Sequence, residues 1–98
     1  MRFVQTIEYR TSRVDEINNL LDDWLASTEG SRIPTRGMQT RDRDQDGTYI
    51  QIVEFPSYEQ AMENSKRADT TAFAESMGKL CDGPPVFRNL DVLRDDEM

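Results

Sequence analysis

Three stretches of this chain alternate in the rhythm of a β-strand, and in each of them both alternating sets carry large apolar side chains. Val4 stands opposite Ile7, Ile50 and Ile52 opposite Val53 and Phe55, and Phe87 and Leu93 opposite Leu90 and Val92. A sheet built from such strands is apolar on two faces, and each face has to be covered. Helices on one side leave the other in water, an apolar patch on the order of several hundred Å² that soluble monomers rarely expose. The chain therefore needs a partner as well as helices.

Two helical regions can be read. Val14, Ile17, Leu20, Leu21, Trp24 and Leu25 recur at helical spacing after Ser12, which with Asp15 reads as a capped start, and the pattern runs out near Gly30. Farther on, Ser57 and Gln60 make a capping box behind Pro56, and Tyr58, Ala61 and Met62 open a second helix. The polar stretch from Asn64 to Thr71 interrupts or restarts it. Phe73, Met77 and Leu80 then continue the helical spacing until Asp82-Gly83-Pro84-Pro85 ends it.

Strands are predicted over 2–9, 34–43, 48–55 and 86–93. The second carries little apolar surface beyond Met38, which suits a solvated edge, and Asp46-Gly47 supplies the turn of a hairpin into the third. The order β-α-β-β-α-β predicts an α+β, ferredoxin-like domain over residues 1–94 with a four-stranded antiparallel sheet. Right-handed crossovers put the first and third strands in the centre. Residues 95–98 form an acidic tail expected to fray. A twofold homodimer is the commonest way to cover the second sheet face.

Composition sharpens this. A 98-residue chain buries only roughly 60 to 65% of the surface its unfolded form exposes, so burial against a second copy would add substantially to a thin core. Net charge is -7, from 19 acidic and 12 basic residues, and this argues against nucleic acid, whose phosphates need a basic face. Arg32, Arg36, Arg41 and Arg43 form a stripe, but Asp42, Asp44 and Asp46 interleave with it. Cys81 is the single cysteine, so no internal disulfide forms. With no long apolar run, neither a signal peptide nor a membrane span is expected, and the cytoplasm is the default location. Histidine is absent, which removes the commonest general base, the commonest zinc ligand and the usual proximal haem ligand.

Asp42-Arg43-Asp44-Gln45-Asp46-Gly47 matches the opening of a calcium loop, but the twelfth position, where a bidentate glutamate belongs, is Val53. The flanking segments are strands rather than helices. The segment reads as a solvated hairpin tip, and no metal is expected.

The element order, with the third strand running through Phe55 into Ser57-Tyr58-Glu59-Gln60-Ala61-Met62, then Thr70-Thr71-Ala72-Phe73, then a last strand after Pro84-Pro85, resembles the dimeric α+β barrel superfamily. That group includes antibiotic-biosynthesis monooxygenase-like and stress-responsive barrel proteins. The resemblance covers nearly the whole chain and implies two facing sheets, helices outside, and a cavity between the sheet and helices of each subunit. Many members are oxygenases without a bound metal and some bind haem. Where several carry a histidine in the second helix, Asn64 and Ser65 stand here, so the haem ligand is missing and no cofactor is expected.

A cofactor-independent monooxygenase-like reading, acting on or binding a small hydrophobic molecule, needs polar groups in a desolvated pocket. Tyr49 and Asn64 are the catalytic candidates; Gln5, Trp24 and Arg88 are the substrate-binding ones. Each has a structural reading beside the functional one. Trp24 lies on the apolar helix stripe as core, Tyr49 fits an interface, Asn64 breaks a helix, and Arg88 pairs with an acid. Cys81 lacks a base to activate it and reads as a small buried hydrophobe. The alternative is a non-catalytic binding or interaction module whose cavity its own side chains fill.

Overall fold

The computed structural model describes residues 2–98. Its elements are β1 (Phe3–Arg10), α1 (Val14–Ser27), β2 (Arg36–Arg41), β3 (Thr48–Phe55), α2 (Tyr58–Ser65), α3 (Ala68–Leu80) and β4 (Val86–Asp91). The four strands form one antiparallel sheet in the order β2-β3-β1-β4, with the two most apolar strands in the centre as expected.

Register fixes which side chains share a face. Phe3 pairs with Phe55, Ile7 with Gln51 and Tyr9 with Tyr49 across β1 and β3. Gln5 pairs with Asn89 and Ile7 with Phe87 across β1 and β4, and Gln39 with Gln51 across β2 and β3. Alternation puts all of these on the face the helices cover. Val4, Ile50, Ile52, Met38 and Leu90 fall on the other, with Met38 and Leu90 exposed.

The core is split. At one end of the sheet, Phe3, Phe55 and Ala61 pack together with Ile33, Val53 and Met62 around them. At the other, Tyr9, Ile17 and Met77 pack with Ile7, Phe73 and Leu80. Between the two clusters the helix-facing surface of the sheet carries Gln5, Gln39 and Gln51, which fill less apolar volume than a leucine or phenylalanine would. A gap follows.

Several local devices differ from the sequence reading. Ser12 is exposed and does not cap α1; Arg13 holds the cap position without a side-chain cap bond. Thr11, one residue earlier, is the buried hydroxyl. It accepts from the Arg13 N–H at 2.9 Å and donates to the Leu80 carbonyl at 2.6 Å, tying α1 to the end of α3. Asp15 and Glu16 in the first turn favour the positive end of the helix dipole. Ser57 caps α2 as expected, accepting from the Gln60 N–H.

The interruption inside the second helical region is a real break. Lys66 ends α2 and Arg67 is extended, with φ -71° and ψ 141°, before α3 begins. The Arg67 guanidinium grips both carboxylate oxygens of Asp69, at 3.1 and 2.8 Å, and donates to the Ser31 carbonyl. That clasp joins the start of α3 to the connection between α1 and β2. The edge strands are shorter than predicted, β2 ending at Arg41 and β4 at Asp91. In the exposed acidic tail Asp95 pairs with Arg2 and Asp96 with Arg94. At the hairpin, Asp42 turns its carboxylate to the Asp44 N–H at 2.9 Å, and Gly47 takes a left-handed φ of 78° that suits glycine.

Among the described residues no helix is long and apolar enough to cross a membrane.

Candidate functional site

The gap between the two core clusters is a cavity of about 410 Å³, within the size range of small-molecule sites. Its floor is the middle of the sheet, with Gln5, Ile7, Tyr9, Gln51 and Val53. Its roof comes from α1, α2 and α3 through Leu21, Trp24, Asn64, Phe73 and Met77. The α1–β2 connection closes one flank with Arg32 and Pro34. Apolar walls with a few convergent amides are the usual make-up of a ligand pocket.

Three of the five residues singled out in the sequence stand at this cavity: Gln5, Trp24 and Asn64. Gln5 donates from Nε2 to Asn89 Oδ1 at 3.2 Å. Asn64, near the end of α2, accepts from the Thr70 hydroxyl at 3.3 Å through Oδ1, which leaves its Nδ2 hydrogens for another acceptor. Trp24 is half-buried and packs against Phe73 with ring centroids 6.0 Å apart. Its indole Nε1 is buried and has no hydrogen-bond partner among the described residues. A buried donor left unpaired costs about 1 to 3 kcal/mol, so the site tolerates local strain.

Tyr49 and Arg88 lie elsewhere. Tyr49 stacks on Tyr9 at 5.6 Å and is outside the cavity lining. Arg88 pairs with Glu8 at 3.5 Å, and alternation places both on the uncovered sheet face.

Tyr9 takes the position expected of Tyr49. It is 3% exposed, and its hydroxyl accepts from Gln39 Nε2 at 3.2 Å, while the same nitrogen also donates to Asn18 Oδ1 at 2.8 Å. The phenolic hydrogen has no acceptor among the described residues. Burial pushes the Tyr9 phenol above its ordinary range, outweighing the opposite pull of the Gln39 hydrogen bond. Tyr9 is thus a neutral donor at physiological pH. Burial, with the neighbouring Asp82, likewise pushes the Cys81 thiol up, so it stays a thiol and a poor nucleophile.

Two signals for the cavity lay in the sequence. Gln5, Gln39 and Gln51 interrupt apolar positions on the helix-facing side, and Arg32 follows a tryptophan-bearing helix. The Arg32 guanidinium lies 6.0 Å from the centre of the Trp24 ring and donates from Nη1 to the Leu25 carbonyl at 3.0 Å.

No protein-family model matches the sequence, and no curated protein matches it. Solved structures do. A protein from Caulobacter crescentus CB15 assigned as an antibiotic biosynthesis monooxygenase superposes with a TM-score of 0.79 at 17% identity, covering 95% of this chain and 91% of its own. SnoaB, a cofactor-independent oxygenase from Streptomyces nogalater, gives 0.79 at 12% identity, covering 96% and 95%. A protein from Mycobacterium tuberculosis gives 0.78 at 13%, covering 99% and 100%. Over nearly its whole length, this chain has the ferredoxin-like α+β fold of the antibiotic-biosynthesis-monooxygenase-like proteins.

Proposed function

We propose that this chain is a cofactor-independent monooxygenase-like protein that works in the cytoplasm as a homodimer and holds a small hydrophobic molecule between its sheet and its helices. The observation that carries this reading is the unfilled cavity of about 410 Å³ with amide groups aimed across apolar walls. The version in which side chains fill the interior does not fit that volume. The likeness in fold to SnoaB supports the oxygenase reading.

Oxygenation without a cofactor is possible when the substrate supplies every electron. A ring CH₂ becomes C=O as one oxygen atom of O₂ bonds to that carbon, the O–O bond breaks, and the other oxygen leaves as water. The protein's part is to desolvate and orient an electron-rich ring and to stabilise its ionised form. Asn64 Nδ2 and the Tyr9 hydroxyl are the donors placed to do this, with Gln5 beside them and Trp24 and Phe73 as the apolar wall.

The homodimer rests on surface. The chain exposes 7023 Å², whereas a compact monomer of 11.4 kDa exposes about 5,800 Å². Part of that excess is the extended C-terminal tail, where Leu93 and Met98 are exposed, and part is the open sheet face with Met38 and Leu90. The uncovered sheet face is the place for a partner: Val4, Ile50, Ile52 and Leu90 lie there, with two ion pairs within the face, Glu8 with Arg88 and Arg2 with Glu54.

The test is oxygen uptake by the purified protein with a panel of electron-rich hydroxylated aromatics. Uptake with at least one substrate, reduced about tenfold or more in Asn64→Ala at unchanged melting temperature, is expected for a group acting in the transition state. Absence of uptake with every substrate, while the same compounds bind, would turn the reading to a non-catalytic binding protein. One observation favours that second reading: among the described residues that line the cavity none is an aspartate, glutamate, histidine or lysine, so no strong base stands among them.

A further inference from the structure

The cavity is the least acidic part of an acidic chain. Nineteen of 98 residues are aspartate or glutamate, yet none stands among the described residues that line it. Arg32 does. Its Nη1 is held by the Leu25 carbonyl at 3.0 Å and the Thr28 hydroxyl at 3.4 Å, and its central carbon lies 6.0 Å from the Trp24 ring centre. Nη2 and Nε have no acceptor among the described residues, and no carboxylate lies within 4 Å, whereas Arg2, Arg13, Arg67, Arg88 and Arg94 are each ion-paired; Arg10, Arg41 and Arg43 also lack an ion pair but stand away from the cavity lining. Arg36 also borders the cavity, but its register opposite Glu54 puts its side chain on the other sheet face. Arg32 is therefore a positioned cation without a counterion, at the flank of an apolar cavity.

The lining also lacks a group that takes up a proton at neutral pH. Its amides, hydroxyls and indole do not titrate there, and Tyr9 holds its proton. A molecule that must be an anion to react, or to bind, has to arrive ionised.

We infer that the ligand of this cavity is an amphiphilic oxyanion: an apolar body that fills the space between Trp24, Phe73 and the sheet, carrying one carboxylate or acidic ring hydroxyl that Arg32 receives through its free N–H groups. Arg32 is exposed at the cavity mouth, and its guanidinium presents paired donors to such a group. This rests on the reading of the cavity as a ligand site and narrows the class of ligand it takes.

Calorimetric titration of the intact protein at pH 7 with three naphthalene probes tests it: naphthalene-1-carboxylate, its neutral carboxamide of the same size, and 2,4-dinitro-1-naphthol, a larger ring oxyanion that is ionised at that pH. At least one anion should bind about tenfold or more tightly than the carboxamide, and the tighter of the two distinguishes carboxylate from ring oxyanion. Arg32→Gln should remove the preference, and Arg32→Lys should keep most of it. Arg43→Gln, which makes the same charge change at the hairpin tip, should leave it intact. Added salt, which needs no variant, should weaken the anions and leave the carboxamide unchanged. A carboxamide bound as tightly as both anions, or a preference untouched by Arg32→Gln, overturns the inference and leaves the cavity as a neutral-ligand site. Binding of none of the three removes the ligand-site reading and this inference with it.

Discussion

Tyr9 and Tyr49 illustrate what a residue's neighbours decide. Both lie at helix-facing positions of adjacent central strands and pair directly in register, so alternation could place each on the right face but could not say which ring stands in front. Packing decides: Tyr9 is buried at the cavity and Tyr49 lies against it. Tyr9→Phe should lower stability by about 1 kcal/mol, a drop of roughly 4 to 8 °C in melting temperature. The loss is modest because Gln39 keeps Asn18 as an acceptor. The folded protein holds the Tyr9 proton more tightly than the unfolded chain does, so this contribution is complete below about pH 10 and is lost as pH rises through the raised value. Alkaline melting curves should therefore be less pH-dependent in Tyr9→Phe than in the parent. Asn64, Gln5 and Trp24 line the cavity, and each interrupts or bears on an apolar pattern in the sequence. Arg88 was not excluded by sequence, since an edge strand with mixed faces gives no sign of which side is covered.

At the scale of elements, local chemistry was readable wherever a short-range signal had no competitor. The Ser57 cap, the Asp46-Gly47 turn and all eight residues of β3 stand where the pattern put them. Ser57→Ala should cost about 1 kcal/mol and lower the melting temperature by several degrees. The start of α1 was misread because two hydroxyls are adjacent there, and the one that reaches α3 wins: a long-range bond from Thr11 to Leu80 leaves no trace in local sequence. The same holds for the Arg67 clasp on Asp69 and Ser31, which links segments 36 residues apart. The Arg67 guanidinium holds the Asp69 carboxyl below the usual carboxylate range. Its stabilising effect is then present above about pH 4 and fades as pH falls through the lowered value. In acid melting series, Asp69→Asn should lie below the parent at pH 7 and converge with it at low pH. Parallel curves down to the acid limit would show that the clasp contributes nothing.

For the whole molecule, the two-faced apolar strands state the architectural problem in the sequence itself, and the fold solves half of it. Helices cover one face incompletely, leaving the cavity, and the other face stays open with Met38, Val86 and Leu90 each more than 40% exposed. The glutamines on the helix-facing side hinted at the cavity, but its size was not readable from sequence because it is a deficit of volume, set by how the helices pack over the middle of the sheet. Light scattering at micromolar concentration should give twice the chain mass of 11.4 kDa; a monomer would leave the fold intact and remove the facing-sheet assembly. Ile52→Glu on the open face should convert the dimer to monomer without abolishing the cavity, because Ile52 faces away from it. The most direct measurement of the central claim is a crystal structure of the protein soaked with naphthalene-1-carboxylate. The account predicts ring density in the cavity against Trp24 and Phe73, with the carboxylate toward Arg32. A cavity closed by inward-turned side chains, with no ring density there, would contradict it.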